Sequence, residues 1–129
     1  MDLIKWSEEY SVGIDEIDNQ HKALVIMINE LFNLISQGKS KSKLEEIFNH
    51  LTDYTKKHFT AEEKMMTNFA YPQYNEHIEE HKKFIAKLDT FRLDLNNGKI
   101  TLSLELLNFL KDWLLNHILI SDKKYNPYI

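Results

Sequence analysis

Residues 74–97 read YNEHIEEHKKFIAKLDTFRLDLNN, and the fold turns on this stretch. Tyr74, His77, His81, Phe84, Leu88, Phe91 and Leu95 advance alternately by three and four residues, which keeps them in one stripe of a 3.6-residue helix. Lys82, Lys83 and Lys87 fall on the other faces. Pro72 precedes the stripe and Asn96-Asn97-Gly98 closes it, so the segment is predicted as one amphipathic helix punctuated at both ends.

The same reading extends outward. With only 3 Gly and 2 Pro in 129 residues, the chain has little material for hairpins or a glycine-rich phosphate loop. Gly38, Pro72 and Gly98 are its internal breaks, and three breaks make four helices. Ile17, His21, Leu24, Ile28, Leu31 and Ile35 form the first stripe. Leu44, Ile47, Leu51, Tyr54, His58, Glu62 and Met65 form the second, with Ser40 or Ser42 as its expected N-cap. Leu102, Leu106, Leu110, Trp113, His117 and Ile120 form the last, behind a Thr101 or Ser103 cap. Short connections make sequential helices antiparallel neighbours, so the expectation is an all-α, up-down-up-down antiparallel four-helix bundle. Residues 1–16, with Trp6, Tyr10, Val12 and Ile14, are read as an arm packed along the bundle of residues 17–129 in a single domain.

Composition narrows the function classes. At 129 residues a two-domain reading is excluded. A net charge of −4, with no basic run beyond Lys56-Lys57, Lys82-Lys83 and Lys123-Lys124, argues against nucleic acid or an anionic membrane as partner. The absence of cysteine removes disulfides, Cys-ligated zinc, iron–sulfur clusters and a thiol nucleophile. Asp2, Glu8 and Glu9 stand where a signal peptide would be basic then apolar, and no apolar run has the length of a membrane span. The expected location is the cytoplasm.

The chemistry lies in polar residues on the interior stripes. Five of the six histidines fall there, and a core imidazole must recover by bonding what it loses in hydration. Any one of them reads most simply as a packed histidine satisfied by a backbone carbonyl. Their depths change that reading: measured from the far-end loops at Gly38, Ser42, Gly98 and Leu102, His21, His58, His81 and His117 lie 17, 16, 17 and 15 residues away. In an antiparallel bundle they converge on one layer, and His77 lies one turn from His81 on the same face. A metal would satisfy them together. Glu62, four residues after His58, is an acid on a core stripe and reads as a further ligand. Glu63 is about 100° around the helix and reads as a solvated residue, with outer support of a ligand as the lesser option. Asp122 is five residues after His117, about 140° away on an ideal helix, so both reach one centre only if the helix ends or bulges between them; a surface acid beside Lys123 is the alternative. His50 reads as a surface or boundary residue. Five imidazoles and two carboxylates suit a pair of borderline transition-metal ions, and if both carboxylates bridge, one oxo or hydroxo bridge leaves a six-coordinate pair with one position open.

The sequence resembles the hemerythrins, and among them the single-domain bacterial members. The residues that carry the resemblance are IDNQHKAL at 17–24, HFTAEEKM at 58–65, HIEEHKKF at 77–84, and WLLNHI at 113–118 followed by Asp122, with Trp6, Tyr10 and Gly13 in the arm. The resemblance implies a non-haem di-iron centre bridged by oxo or hydroxo that binds O₂ reversibly, for carriage, storage or delivery, and no enzymatic turnover. His77, His81 and His117 would hold one iron, His21 and His58 the other with the open position, and Glu62 and Asp122 would bridge. O₂ would take one electron from each Fe(II) and be held as hydroperoxide on the open iron, with delivery to an O₂-using enzyme as a possible fate. Trp113, Leu114, Ile118 and Leu119 are the candidates for a dry O₂ pocket, core packing being the competing reading of each.

Other classes compete. A ferritin-like oxidase would carry Glu-x-x-His pairs, and none occurs here. His77-Ile78-Glu79-Glu80-His81 fits the His-x-x-Glu-His pattern of a zinc peptidase, but it accounts for two of the five interior histidines. An O₂, redox or iron sensing module, or a di-iron scavenger, would share the same ligands.

Overall fold

The computed structural model describes residues 3–38, 41–98 and 104–128. Its helices are α1 (Asp15–Ser36), α2 (Lys41–Asn68), α3 (Tyr74–Asn96) and α4 (Leu104–Asn116), followed by a π-helical segment His117–Ser121 and a 3₁₀ segment Asp122–Tyr128. There is no strand among the described residues. The helices form the antiparallel four-helix bundle, in which α1 packs on α2 and α4, and α2 on α3. Phe84 of α3 stacks on Trp113 of α4 with ring centroids 3.7 Å apart, closing the ring of four. No described helix is long and apolar enough to cross a membrane.

The ends follow from local chemistry. Gly38 and Gly98 take φ of 67° and 73°, a left-handed conformation that glycine adopts without Cβ strain, and so end α1 and α3. α2 ends earlier than Pro72 indicates. Ala70 turns left-handed at φ 53°, the Tyr71 amide donates to the Met66 carbonyl and the Ala70 amide to that of Thr67, and Tyr71 packs beside Met66. Ser42 lies inside the first turn of α2 and is not its cap; Ser40, Thr101, Leu102 and Ser103 lie outside the described residues.

Leu24, Ile28, Leu31, Phe48, Leu51, Phe84, Leu88, Leu95, Leu107 and Leu110 build the main core. Two stripes are corrected by one position. In α2, Leu44, Ile47, Tyr54 and Met65 flank the core half-buried, while Phe48, Thr52, Thr55, Phe59 and Met66 occupy its centre. At the C-terminal end Leu107, Leu114 and Ile118 point inward, and Ile120, two residues beyond Ile118 and so on the opposite side of the helix, is 58% exposed. The arm packs as expected: Ile4 is buried, its amide donates to Asn29 Oδ1 and its carbonyl accepts from Asn29 Nδ2, both at 2.9 Å. Gly13, at φ 81°, turns the arm into α1, where Asp18 accepts from the Val12 amide and the Ser11 hydroxyl.

Candidate metal centre

One end of the bundle gathers the polar residues of all four helices. α1 supplies His21, α2 supplies His58 and Glu62 one turn apart, α3 supplies His77 and His81 one turn apart, and the chain after α4 supplies His117 and Asp122. All seven are buried, none more than 4% exposed. They form two sets with donor atoms within 4.8 Å of one another: Glu62, His77, His81, His117 and Asp122, and His21, His58, Glu62 and Asp122.

The two carboxylates belong to both sets because each divides its oxygens. Glu62 Oε1 lies 2.8 Å from His77 Nε2 and 2.9 Å from His81 Nε2, while Glu62 Oε2 faces His21 Nε2 at 3.7 Å and His58 Nε2 at 3.6 Å. Asp122 Oδ1 lies 2.9 Å from His77 Nε2 and 3.0 Å from His117 Nε2, and Asp122 Oδ2 lies 3.1 Å from His21 Nε2. His81 Nε2 and His117 Nε2 face each other at 3.1 Å. Close as these atoms are, His21 Nε2 and both Asp122 oxygens find no hydrogen bond of acceptable geometry. Their lone pairs converge on common points rather than on each other, which is the arrangement a pair of cations would satisfy. Imidazole and carboxylate donors without thiolate fit iron-class ions.

The electrostatics agree. Burial pulls the His21, His77 and His117 imidazoles down, but the Asp122 and Glu62 carboxylates beside them more than reverse this, pushing them up to about 9, about 9 and about 10. His58 is pushed down to about 4, because burial outweighs the pull of Glu62. Burial also opposes ionisation of Glu62 and Asp122, yet the surrounding imidazoles hold both well below the usual carboxylate range. In the iron-free protein imidazolium charge balances the two acids, a role that metal cations would take over.

Other groups support the donors from outside, and most escaped the sequence reading. The Tyr125 hydroxyl, held protonated by burial, donates to Glu62 Oε2 at 3.2 Å. Its only sequence signal is its position three residues after Asp122. Gln20 Oε1 accepts from His58 Nδ1 at 2.6 Å. Glu63 is half-buried rather than fully solvated, and its Oε2 accepts from His81 Nδ1 at 2.8 Å. Phe59 lies flat on His81, centroids 3.7 Å apart. His50 is exposed.

Of the pocket candidates, Leu114 lines a small enclosed apolar cavity together with Leu24, Thr55, Phe84 and Leu88. Leu24, Thr55, Phe84 and Leu114 each lie three residues from one of the histidines His21, His58, His81 and His117, so the cavity sits directly above the donor layer. Trp113 is half-buried and stacks on His117 at 4.6 Å, Ile118 is buried in the core, and Leu119 is half-buried.

Comparison with known proteins is consistent across sequence and structure. The family described as Hemerythrin HHE cation binding domain matches residues 12–129. The chain is 34% identical to a bacteriohemerythrin of Stenotrophomonas maltophilia over 125 residues, 97% of this chain and 80% of that one. It is 37% identical to a bacteriohemerythrin of Pseudomonas aeruginosa over 120 residues, 93% of this chain and 77% of that one. A crystal structure of wild-type hemerythrin matches with a TM-score of 0.93 at 29% identity, covering 97% of this chain and 96% of the other.

Proposed function

The chain belongs to the hemerythrin family, and we propose that it binds O₂ reversibly at a di-iron centre held by His21, His58, Glu62, His77, His81, His117 and Asp122. The observation that carries this is the division of each carboxylate between the two imidazole groups. Glu62 and Asp122 turn one oxygen toward the three imidazoles His77, His81 and His117, and the other toward the pair His21 and His58. Two carboxylates so placed would bridge two irons, and the side with two imidazoles would keep a position for O₂. The irons, when bound, supply the electrons that O₂ borrows while held and returns on release.

The protein's own part is to hold, shield and orient. Complete burial of the seven donors excludes bulk water, which slows irreversible oxidation. Tyr125 donates to Glu62 Oε2, on the oxygen that faces His21 and His58, and so fixes that carboxylate in its divided pose. The apolar cavity walled by Leu24, Thr55, Phe84, Leu88 and Leu114, with a volume of about 10 Å³, lies above the donors and keeps that side of the layer dry.

The test is iron content together with the visible spectrum of anaerobically reduced protein before O₂, after O₂ and after argon purging. Two irons per chain with an absorption that appears and disappears reversibly is the expected result. Two irons with irreversible oxidation would overturn carriage, and no iron would overturn the centre itself.

A further inference from the structure

The metal-facing nitrogen of each imidazole is Nε2; the opposite nitrogen, Nδ1, is where two imidazoles of the centre differ. His81 Nδ1–H donates to a carboxylate oxygen of Glu63 at 2.8 Å, and His58 Nδ1–H donates to the amide oxygen of Gln20 at 2.6 Å. The bonds are alike in kind but differ in charge. Both acceptors are neighbours in sequence of a donor, Glu63 of Glu62 and Gln20 of His21, yet each reaches across to an imidazole on the next helix. The Glu63 side chain is 28% exposed, so its charge keeps contact with water while its oxygen holds the buried ring. Phe59, lying within 3° of parallel to His81, fixes the plane in which that bond forms.

An imidazole that donates to a carboxylate becomes a stronger electron donor through its other nitrogen than one that donates to a neutral amide. Charge-assisted bonds are also the stronger kind and hold the ring and its tautomer more firmly. A more basic ligand favours the more highly charged metal ion. We propose that Glu63 and Gln20 are positioning residues that make the two metal subsites unequal. Glu63, acting through His81, favours ferric iron and tight retention beside His77 and His117; Gln20, acting through His58, leaves the subsite of His21 and His58 neutral in its outer support and the weaker holder. This rests on the di-iron reading given above.

The experiment exchanges the charges while keeping the bonds: Glu63→Gln, Gln20→Glu and the double exchange. Iron loss to a chelator and the midpoint potential of the iron-loaded protein are measured for each. In Glu63→Gln, iron is expected to leave about 10- to 100-fold faster and the potential to rise; each tenfold change in preference for ferric iron is about 59 mV for one electron. Gln20→Glu should lower the potential, and the double exchange should return it toward the starting value. Damage to packing has no such sign, so a shift of both single variants in one direction overturns the proposal, as does an unchanged potential in Glu63→Gln. If Glu63→Gln does not fold, Gln20→Glu decides alone: a lowered potential supports the proposal and an unchanged or raised one overturns it. A wild-type chain without iron refutes the di-iron reading, whereas a two-iron chain indifferent to both exchanges refutes only the inequality.

Discussion

His117 and Asp122, five residues apart, enter one buried layer with Nε2 of the first 3.0 Å from Oδ1 of the second. The backbone between them makes this possible. Residues His117–Ser121 are π-helical, and the Asp122 amide donates to the His117 carbonyl five residues back. An α-helical turn would have left the two side chains about 140° apart, whereas the wider turn brings the fifth residue under the first. The segment also aims Ser121 at Glu80, its hydroxyl donating to Oε1 at 2.8 Å.

Replacing that aspartate tests the bridge. Asp122→Ala removes a carboxylate that faces both imidazole groups, so the variant is expected to hold fewer than two irons per chain and to lose its O₂-dependent absorption while keeping its helical circular dichroism. The loss of affinity should exceed the about 10- to 100-fold typical of removing a group that merely supports a ligand. Iron analysis and spectrum decide, and full iron occupancy with normal oxygenation would remove Asp122 from the centre.

Stability of the iron-free protein should depend on pH in two opposed ways. His21, His77 and His117 are raised to about 9, about 9 and about 10, so the folded chain binds their protons more tightly than the unfolded chain. Their contribution is fully present below the ordinary value of 6.5 and is lost as pH climbs through 9 to 10. His58, lowered to about 4, acts the other way, and its contribution is lost as pH falls from 6.5 toward 4. Urea titrations across this span should therefore show an optimum about pH 6 to 7. Iron competes with those same protons, so loading should strengthen as pH rises and fail on acidification. Iron-free stability that rises steadily to pH 10 would contradict the ion pairing of His21, His77 and His117 with the two acids.

The bundle was legible in the sequence because its causes are periodic and local. Alternating steps of three and four put His21, His58, His77 and His81 on interior stripes, and Gly38 and Gly98 marked ends that need a left-handed residue. The depth of the donor layer followed from helical rise alone. What stayed hidden depends on contacts between helices or on irregular backbone. Glu63, for which the sequence makes support of a ligand only the lesser reading, is remote from the metal face of its own helix and gains its role when α3 carries His81 alongside. Ala70 gives no sign of its positive φ, and nothing in HILIS at 117–121 announces a π turn, so Asp122 could be placed only through the family resemblance.

Asn29 ties the start of the arm to α1. Asn29 both donates to and accepts from the Ile4 backbone, and Ile4 is 3% exposed, so Asn29→Ala leaves a buried amide and a buried carbonyl unpaired. At about 1–3 kcal/mol for each unmet group, destabilisation of about 2–6 kcal/mol is expected in chemical denaturation. The site lies elsewhere in the bundle, so iron content should not change. A loss within about 0.5 kcal/mol, typical of surface changes, would mean that the Asn29–Ile4 bonds contribute nothing to folding.

α3 offers a matched pair for testing which face carries the core. Leu88 is 1% exposed and lines the cavity above the donors, whereas Leu93 is 59% exposed. Truncating a buried leucine removes its transfer energy and leaves a void that the bundle fills only in part, so Leu88→Ala should destabilise the chain by about 2–5 kcal/mol. Leu93→Ala should fall within about 0.5 kcal/mol of the starting protein. The enlarged void has a second consequence that packing loss alone does not have. Apolar cavities of sufficient size stay dry and take up xenon, so the Leu88→Ala protein should bind xenon beside Leu24, Phe84 and Leu114 more strongly than the parent. Equal destabilisation by the two substitutions would show that the assigned inner face of α3 is wrong; unequal destabilisation without added xenon binding would show that the bundle collapses into the space the leucine leaves.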